Sequence, residues 1–269
     1  MNSSTVAALN RINRRFYDRH SQAFSASRSR PWPGWKRALS PFLANESGGA
    51  SGEVVRAIVD VGCGNGRFGL YLGSMSAERF RYLGIDSSRE MIQRAQGRLA
   101  GHPSIDARFE QRELTNEEPL EHASGSVDLI TLFGVLHHIP GLACRQRLLE
   151  DLRKLLAPRG LMVFSFWQFG NRERFRRRFL DWSEHSRVSG DPIDERQLET
   201  GDFLLTWGNA EGADLASQED LGPRRYCHHA DVREAQTLAD SLRLHTLDRF
   251  ESDGRGDDLN LYFVLQNCD

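Results

Sequence analysis

Asp60-Val61-Gly62-Cys63-Gly64-Asn65-Gly66 follows the short apolar run Ala57-Ile58-Val59 and leads into a helix-like segment from Arg67 to Leu72. The order reads as a strand, a glycine turn and a helix start. Glycine at alternate positions lets the turn take positive φ and lets a ligand lie against bare backbone amides at a helix N-terminus. Beyond it a second apolar run, Tyr82-Leu83-Gly84-Ile85, ends at Asp86, where a carboxylate at a strand tip can accept both hydroxyls of a ribose.

The glycine spacing is G-x-G-x-G, not the G-x-G-x-x-G that brings a third glycine against the strand for pyrophosphate binding. Asp60, two residues before Gly62, is poor company for a pyrophosphate and suits a cationic group such as an amino acid's ammonium. The ligand this favours is S-adenosylmethionine, and the stretch resembles the first motif of the class I methyltransferases. The plainer alternative is a glycine-rich turn that merely joins strand to helix.

With 269 residues the chain can hold one sizeable core, or one domain with a long insertion. A net charge of -2 argues against a wholly basic nucleic-acid binder. Positive charge is nonetheless local: Arg11, Arg14, Arg15 and Arg19 crowd the N-terminus, and Arg172, Arg174, Arg176, Arg177 and Arg178 crowd a later segment. Lys36 and Lys154 are the only lysines, so most cations are guanidinium groups, which fork onto phosphate or carboxylate. Cys63, Cys144, Cys227 and Cys268 form no C-x-x-C pair and suggest free thiols in a reducing compartment. No leader opens the chain and no apolar run approaches the roughly 20 residues that span a bilayer, so a cytoplasmic protein without membrane contact is expected.

Strand-like and helix-like segments alternate as in a parallel sheet. Strands are expected at 57–61, 81–85, 105–110, 127–132 and 160–166, and helices at 66–74, 88–99 and 143–156, the last stopped by Pro158 and Gly160. A helix over 231–241, a strand at 244–250 and a final strand at 260–265 close the chain. The expected fold is α/β and Rossmann-like: a mostly parallel seven-stranded sheet with one antiparallel strand and helices on both faces. Residues 1–50 form a helical cap and linker with a Gly/Ser joint at Glu46 to Gly52, 51–167 the cofactor-binding core, 168–224 an insertion or lid, and 225–269 the elements that complete the sheet.

Ligands in such sheets bind outside the carboxyl ends of the strands. The expected cofactor residues are Asp60, Gly62, Cys63, Gly64 and Gly66 at the methionine part and Asp86 on the ribose, with Ser87 and Met91 capping the next helix and covering the adenine. Glu113 after the third strand and Phe133 after the fourth complete that set, although Met91 on an amphipathic helix also reads as core. His137 and His138 stand just past the fourth strand, where a histidine is either a general base or a scaffold beneath the cofactor. Neighbouring histidines on such a turn are expected to point apart and make a poor metal pair, and Cys227-His228-His229 lacks ligand spacing, so no metal is expected. In the arginine segment, helical spacing would put Phe175 and Phe179 on one face and Arg172 and Arg176 on another, which suits either an RNA backbone or a solvated amphipathic helix.

Two further segments sharpen the reading. Phe24-Ser25-Ala26-Ser27-Arg28-Ser29-Arg30-Pro31-Trp32-Pro33 makes a stiff aromatic elbow, and Arg224-Arg225-Tyr226-Cys227-His228 stands near the other end. The order Phe-Ser-x-x-Arg-x-x-Pro-Trp-Pro, the glycine motif, Val135-Leu136-His137-His138, Trp167-Gln168, Arg225-Tyr226-x-His228 and Asn260 resembles the tRNA wobble-uridine carboxymethyl methyltransferases. That family converts 5-carboxymethyluridine into its methyl ester. The resemblance runs from Phe24 to Leu265 and implicates Arg28, His137, His138, Arg225, Tyr226, His228 and Asn260 without assigning their roles. Cys227 replaces a common second tyrosine, Leu261 a common tryptophan, and 168–224 has no clear counterpart.

A sulfonium methyl is already activated, so a protein of this kind mainly aligns donor and nucleophile. A carboxylate nucleophile is ionised at neutral pH and needs no base, whereas a hydroxyl needs one. Abundant arginines without a paired acid and base favour an anionic acceptor held by Arg28 or Arg225. Three functions are carried forward: methylation of a tRNA wobble uridine, methylation of a small-molecule carboxylate or hydroxyl, and a non-catalytic cofactor-binding subunit that activates a partner. A protein activator is a further possible partner of the first.

Overall fold

The computed structural model describes residues 1–44, 55–76, 78–115, 124–189, 192–207 and 222–268. The joint expected at Glu46 to Gly52 lies outside these residues, as do 208–221 of the expected insertion. Three helices open the chain, α1 (Ser3–Ala26), α2 (Pro33–Ala38) and α3 (Ser40–Ala44). The alternating part follows as β1 (Val55–Val61), α4 (Arg67–Met75), β2 (Arg79–Asp86), α5 (Arg89–Leu99), β3 (Ile105–Gln111), β4 (Val127–Leu132), α6 (Leu142–Arg153) and β5 (Leu156–Trp167). After these come α7 (Glu173–Arg176), β6 (Phe179–Leu180), α8 (Trp182–Ser189), β7 (Asp202–Thr206), β8 (Arg224–His228), α9 (Val232–Ser241), β9 (His245–Ser252) and β10 (Asn260–Gln266).

Seven strands form one sheet in the order β3-β2-β1-β4-β5-β10-β9, and β10 runs antiparallel to both of its neighbours. This is the expected architecture. Period-two alternation feeds two cores, one per face. On β10, Leu261, Phe263 and Leu265 pack with Leu149 and Leu152 of α6 and Leu238 of α9, while Tyr262 and Val264 pack with Trp35, Leu39 and Phe68 of the opposite layer. Because β1 and β4 are adjacent while their crossovers leave in opposite directions, the cleft opens above Val61 and Leu132.

Some boundaries differ from those expected. α6 stops at Arg153 rather than 156, because Leu156 pairs with Val127 as the first residue of β5 and the chain then bulges before Leu161 meets Leu129. Gly160 sits in that bulge, where an added Cβ would lie 2.7 Å from the Val127 carbonyl oxygen. The arginine segment is not a long helix either: α7 ends at Arg176, and Phe179 belongs to a strand. Phe175 and Phe179 each pack on Phe169, with ring centroids 6.5 and 6.2 Å away, in a cluster around Phe169 and Leu205 rather than along one helical face.

The larger correction concerns the insertion. β6, β7 and β8 form a second, antiparallel sheet in which Asp202 pairs with His228 and Thr206 with Arg224. The inserted unit therefore extends through His228, and 224–228 does not belong to the main sheet as the expected boundary at 225 required. β8 packs on α1 and on the turn at Leu136–His138 that follows β4, which lays the small sheet over the strand tips.

Candidate active site

The loop after β1 is shaped by its glycines. Gly62 takes φ +67°, and a Cβ there would lie 2.2 Å from Val135 Cγ2; Gly66 takes φ +73° and presses on Ala95 of α5. Gly64, at φ +54°, has only the Gly62 carbonyl oxygen near a notional Cβ, at 4.0 Å, so its bare backbone faces open space. Cys63 turns inward: its amide donates to Ile85 O at 2.9 Å, and burial pushes its thiol well above the usual range.

Asp60 and Asp86 flank this loop. Asp60 is buried, with Oδ2 accepting from Tyr82 Oη at 2.5 Å and Oδ1 from Thr131 Oγ1 at 2.7 Å. Burial pushes it up to about 7 against the lowering effect of these two bonds, and the nearby Asp86 adds to the rise. Burial likewise raises Asp86 to about 6, although its carboxylate accepts from the amides of Ser88 and Gly64, both at 2.9 Å. A cation beside Asp60 would therefore bind best once that carboxylate is ionised. We expect the affinity for S-adenosylmethionine to rise about tenfold from pH 5.5 to 7, as one proton leaves the site per ligand bound. Calorimetric binding across that range checks it, and a flat profile would refute it.

One cavity of about 460 Å³ runs from this loop to the small sheet. All the expected cofactor residues line it except Gly66, which packs behind the loop. Ser87 lines it, but Ser88 rather than Ser87 caps α5, accepting from the Met91 amide at 3.4 Å. Met91 is both core and wall, buried and cavity-lining. Glu113 stands at the edge in an ion pair with Arg14 at 2.9 Å. Phe133 packs on Trp35 and Phe68, with ring centroids 5.6 and 4.9 Å away.

Of the residues implicated on the acceptor side, Arg28, His137, His138, Arg225 and Asn260 line the same cavity. Tyr226 and His228 do not. Along β8 alternate side chains face opposite ways, so Arg225 reaches the cavity while Tyr226 and His228 point behind the small sheet. There the Tyr226 hydroxyl donates to Asp202 Oδ1 at 2.7 Å, and His228 lies between Asp202, at 2.7 Å from Nδ1, and Glu234, at 3.0 Å from Nε2. Burial opposes the charge on His228, but these two carboxylates outweigh it and raise its pKa.

The histidine pair also departs from expectation. The rings do not point apart; their centroids lie 4.2 Å from each other on the tight turn at Leu136–His138. His138 Nδ1 lies 3.0 Å from Tyr226 O, an acceptor only, so that nitrogen carries the proton and Nε2 accepts from Tyr17 Oη at 2.8 Å. Burial, with Arg225 nearby, pushes His138 down to about 3, and burial with His138 beside it carries His137 well below its usual value. Both are neutral, and both ring nitrogens of His138 are bonded within the fold. Among the described residues two clusters bring three metal-capable atoms within 4.8 Å, His137-His138-Cys227 and Glu199-Asp202-His228. In the first, both His138 nitrogens are committed; in the second, Arg145 Nη2 already sits 2.6 Å from Glu199 Oε2.

Arg28 and Arg225 are the unusual groups. Arg225 is 5% exposed, stands over Phe16, Phe24 and Trp167 at 5.3 to 5.7 Å from their centroids, and leaves its buried Nε unpartnered. Arg28 lies 3.6 Å over Phe24 and donates to Ser27 Oγ at 3.2 Å. Among the described residues neither forms an ion pair. Burial, reinforced by repulsion from Arg225, lowers Arg28 to about 10, which leaves it cationic at neutral pH.

Sequence reasoning missed Asn10, Asn13 and Tyr17, polar residues at helical spacing on α1 beside the stripe Leu9, Ile12 and Phe16. That interruption of an apolar face was the available signal. Asn13 Oδ1 accepts from the Tyr226 amide at 2.9 Å and so ties α1 to β8. Asp253, also missed, accepts from the Gly34 amide, Asn260 Nδ2 and Tyr262 Oη at 2.5 to 2.9 Å, locking the proline elbow to the final hairpin.

Residues 59–162 match the family model described as a methyltransferase domain. A protein of Encephalitozoon cuniculi assigned by name to the methyltransferases is 28% identical over 197 residues, 73% of this chain and 74% of that one. The ubiquinone biosynthesis O-methyltransferase of Acinetobacter baumannii is 26% identical over 160 residues, 60% of each chain. A solved S-adenosylmethionine-dependent methyltransferase of Methanosarcina mazei superposes with a TM-score of 0.57 at 20% identity, covering 85% of this chain and 98% of that one, a likeness of fold. With the glycine loop and its two acids, the domain match and the sheet order define an S-adenosylmethionine-dependent methyltransferase of class I. Among the described residues no helix is long and apolar enough to cross a membrane.

Proposed function

We propose that this methyltransferase esterifies an anionic acceptor, the carboxymethyl group of a wobble uridine in tRNA. The observation that carries the reading is the pair Arg28 and Arg225, two cations on the acceptor side of the cavity that form no ion pair among the described residues. Burying like charges together is costly, and a bound anion relieves it. Such a pair fits a carboxylate, and forked donors bind one in a fixed orientation.

When bound, S-adenosylmethionine supplies a methyl group already activated by its sulfonium. The chain's residues then hold and orient. Arg28 and Arg225 grip the acceptor carboxylate, which needs no proton removed, and the neutral His137 and His138 leave that carboxylate ionised. Phe24, Trp167 and Trp207 line the same end of the cavity and offer faces for an unstacked base. A hydroxyl acceptor, as the Acinetobacter relative's name implies for that protein, requires a base that burial denies to both histidines. The continuous cavity from glycine loop to arginines also weighs against a purely activating, non-catalytic role.

The test is incubation with methyl-labelled cofactor and tRNA from a strain lacking the gene, beside a panel of small carboxylic acids and phenols. The reading expects label in the tRNA that mild base releases as methanol, the signature of an ester. Base-stable label, or label confined to the small molecules, would overturn it.

A further inference from the structure

Tyr17 stands on α1 one turn after Asn13 and lines the cavity with Arg28 and Arg225. Its hydroxyl lies 2.8 Å from His138 Nε2, and the other ring nitrogen, Nδ1, lies 3.0 Å from the Tyr226 carbonyl oxygen. A carbonyl only accepts, so Nδ1 carries the imidazole proton and the phenol proton is committed to Nε2. The Tyr17 oxygen is left with lone pairs. Arg225 acts on that hydroxyl by its charge and by a side-chain hydrogen bond, and Arg28 by its charge.

These contacts close a ring. It runs from the Arg225 guanidinium through the phenol and the imidazole to the Tyr226 carbonyl, and Arg225 and Tyr226 are consecutive on β8. A second tie lies beside it, from the Tyr226 amide to Asn13 Oδ1 at 2.9 Å. Asn13 and Tyr17, four residues apart on α1, thus fix the backbone of β8 and the side chain that β8 turns into the cavity.

The chemistry of the partner matters. A carboxylate in the place of this phenol would hold Arg225 more tightly but cancel the charge that an anionic acceptor needs. Burial raises the Tyr17 hydroxyl above its ordinary range against the pull of the two arginines, so it is a neutral phenol at neutral pH. It therefore orients a guanidinium and leaves the charge whole. With its proton on His138 it has nothing to donate to an acceptor carboxylate, and contact with the acceptor falls to Arg225.

We propose that Tyr17 is a positioning residue that aims the Arg225 guanidinium at the acceptor through this ring while keeping its charge available. The proposal rests on the reading of the acceptor as an anion. It also gives His138 a role, since the tautomer of that imidazole sets the direction of the Tyr17 hydroxyl.

The test uses two probes on the chain saturated with S-adenosylhomocysteine: 5-carboxymethyluridine and its neutral amide, 5-carbamoylmethyluridine. Calorimetry compares them on the wild type, Tyr17→Phe, Arg225→Met and the double variant. Phenylalanine keeps the ring against Phe16 and Phe24, whose centroids are both 5.0 Å away. Tyr17→Phe should weaken the acid about tenfold, the worth of one hydrogen bond to a charged group, and the amide less than about twofold. In the Arg225→Met background the same change should cost the acid less than about twofold. An equal loss for acid and amide overturns the proposal, because a packing residue would weaken both. So does a tenfold loss that persists without Arg225. A wild-type chain that binds neither probe refutes the acceptor reading instead, and nitrogen NMR without acceptor then decides. The Arg225 Nε–Hε signal, assigned by its loss in Arg225→Met, should be sharp in the wild type and broaden in Tyr17→Phe, and equal sharpness in both overturns the proposal. Spectra of the wild type alone should place the His138 proton on Nδ1; a proton on Nε2 breaks the ring and overturns it as well.

Discussion

Arg225→Met is expected to lower kcat/KM for the anionic acceptor about a hundred- to a thousandfold while raising the melting temperature. The first effect follows from truncating one member of a desolvated charge pair, which costs about 2–5 kcal/mol. The second follows from the empty site. Arg225 is almost fully buried, Arg28 is its cationic neighbour, and among the described residues it forms no ion pair and stands over the faces of Phe16, Phe24 and Trp167. Methionine fills similar volume and packs on the same rings through its sulfur. Removing a buried unpaired charge should add about 1 kcal/mol of stability, the trade expected where function requires a destabilising group. Cofactor affinity should stay within about twofold, since the glycine loop and its acids are untouched. Steady-state kinetics, calorimetry and thermal unfolding on one preparation decide it. Near-normal kcat/KM, or a lower melting temperature with lost cofactor binding, would remove Arg225 from the acceptor site.

What the sequence exposed and what it hid divide along the range of the contacts. The glycine loop, Asp86 and the alternating elements are local patterns, and each lies where its spacing put it, because strand, turn and helix periods are set within a few residues. The segment 224–228 read as one patch for a different reason. Whether Tyr226 faces the cavity depends on β8 pairing with β7, whose residues lie over twenty positions earlier, and on that strand's two-residue period. Once Thr206 opposite Arg224 fixes the register, Arg225 must face one way and Tyr226 the other. The arginine segment misled in the same way. Helical spacing predicts Phe175 beside Phe179, but Phe179 pairs with Leu205 of the small sheet, and that pairing overrides local propensity. Asp253 carried no motif at all: its φ of +70° and three bonds arise only when elbow and hairpin meet.

Those hidden contacts lead to the largest stability effect, expected for Asp202→Ala. Asp202 is buried and accepts from Tyr226 Oη and His228 Nδ1, both at 2.7 Å, and from the Glu199 amide at 2.8 Å. Alanine removes the acceptor of all three and leaves His228 with Glu234 and, at 3.6 Å from Nδ1, Glu199, both of which Arg145 also bonds. Loss of one member of such a buried network costs about 3–5 kcal/mol. The pH dependence has a definite sign. His228 is raised above its ordinary 6.5, so its contribution is full below that value and disappears as pH rises through the folded pKa. Glu234, opposed by burial but held down by its bond to His228 and by Arg145, contributes above its ordinary 4.5 and loses that contribution as pH falls. The penalty for Asp202→Ala should therefore be greatest at about pH 6, between these limits, and smaller at about pH 9. Urea unfolding of both chains at the two pH values measures it, and a penalty under about 1 kcal/mol or one that does not change with pH would refute the account. Because β8 also carries Arg225, the variant should lose acceptor turnover without any change at the acceptor-contacting side chains. On this account Tyr226 and His228 would act on turnover only by holding the strand on which Arg225 is mounted.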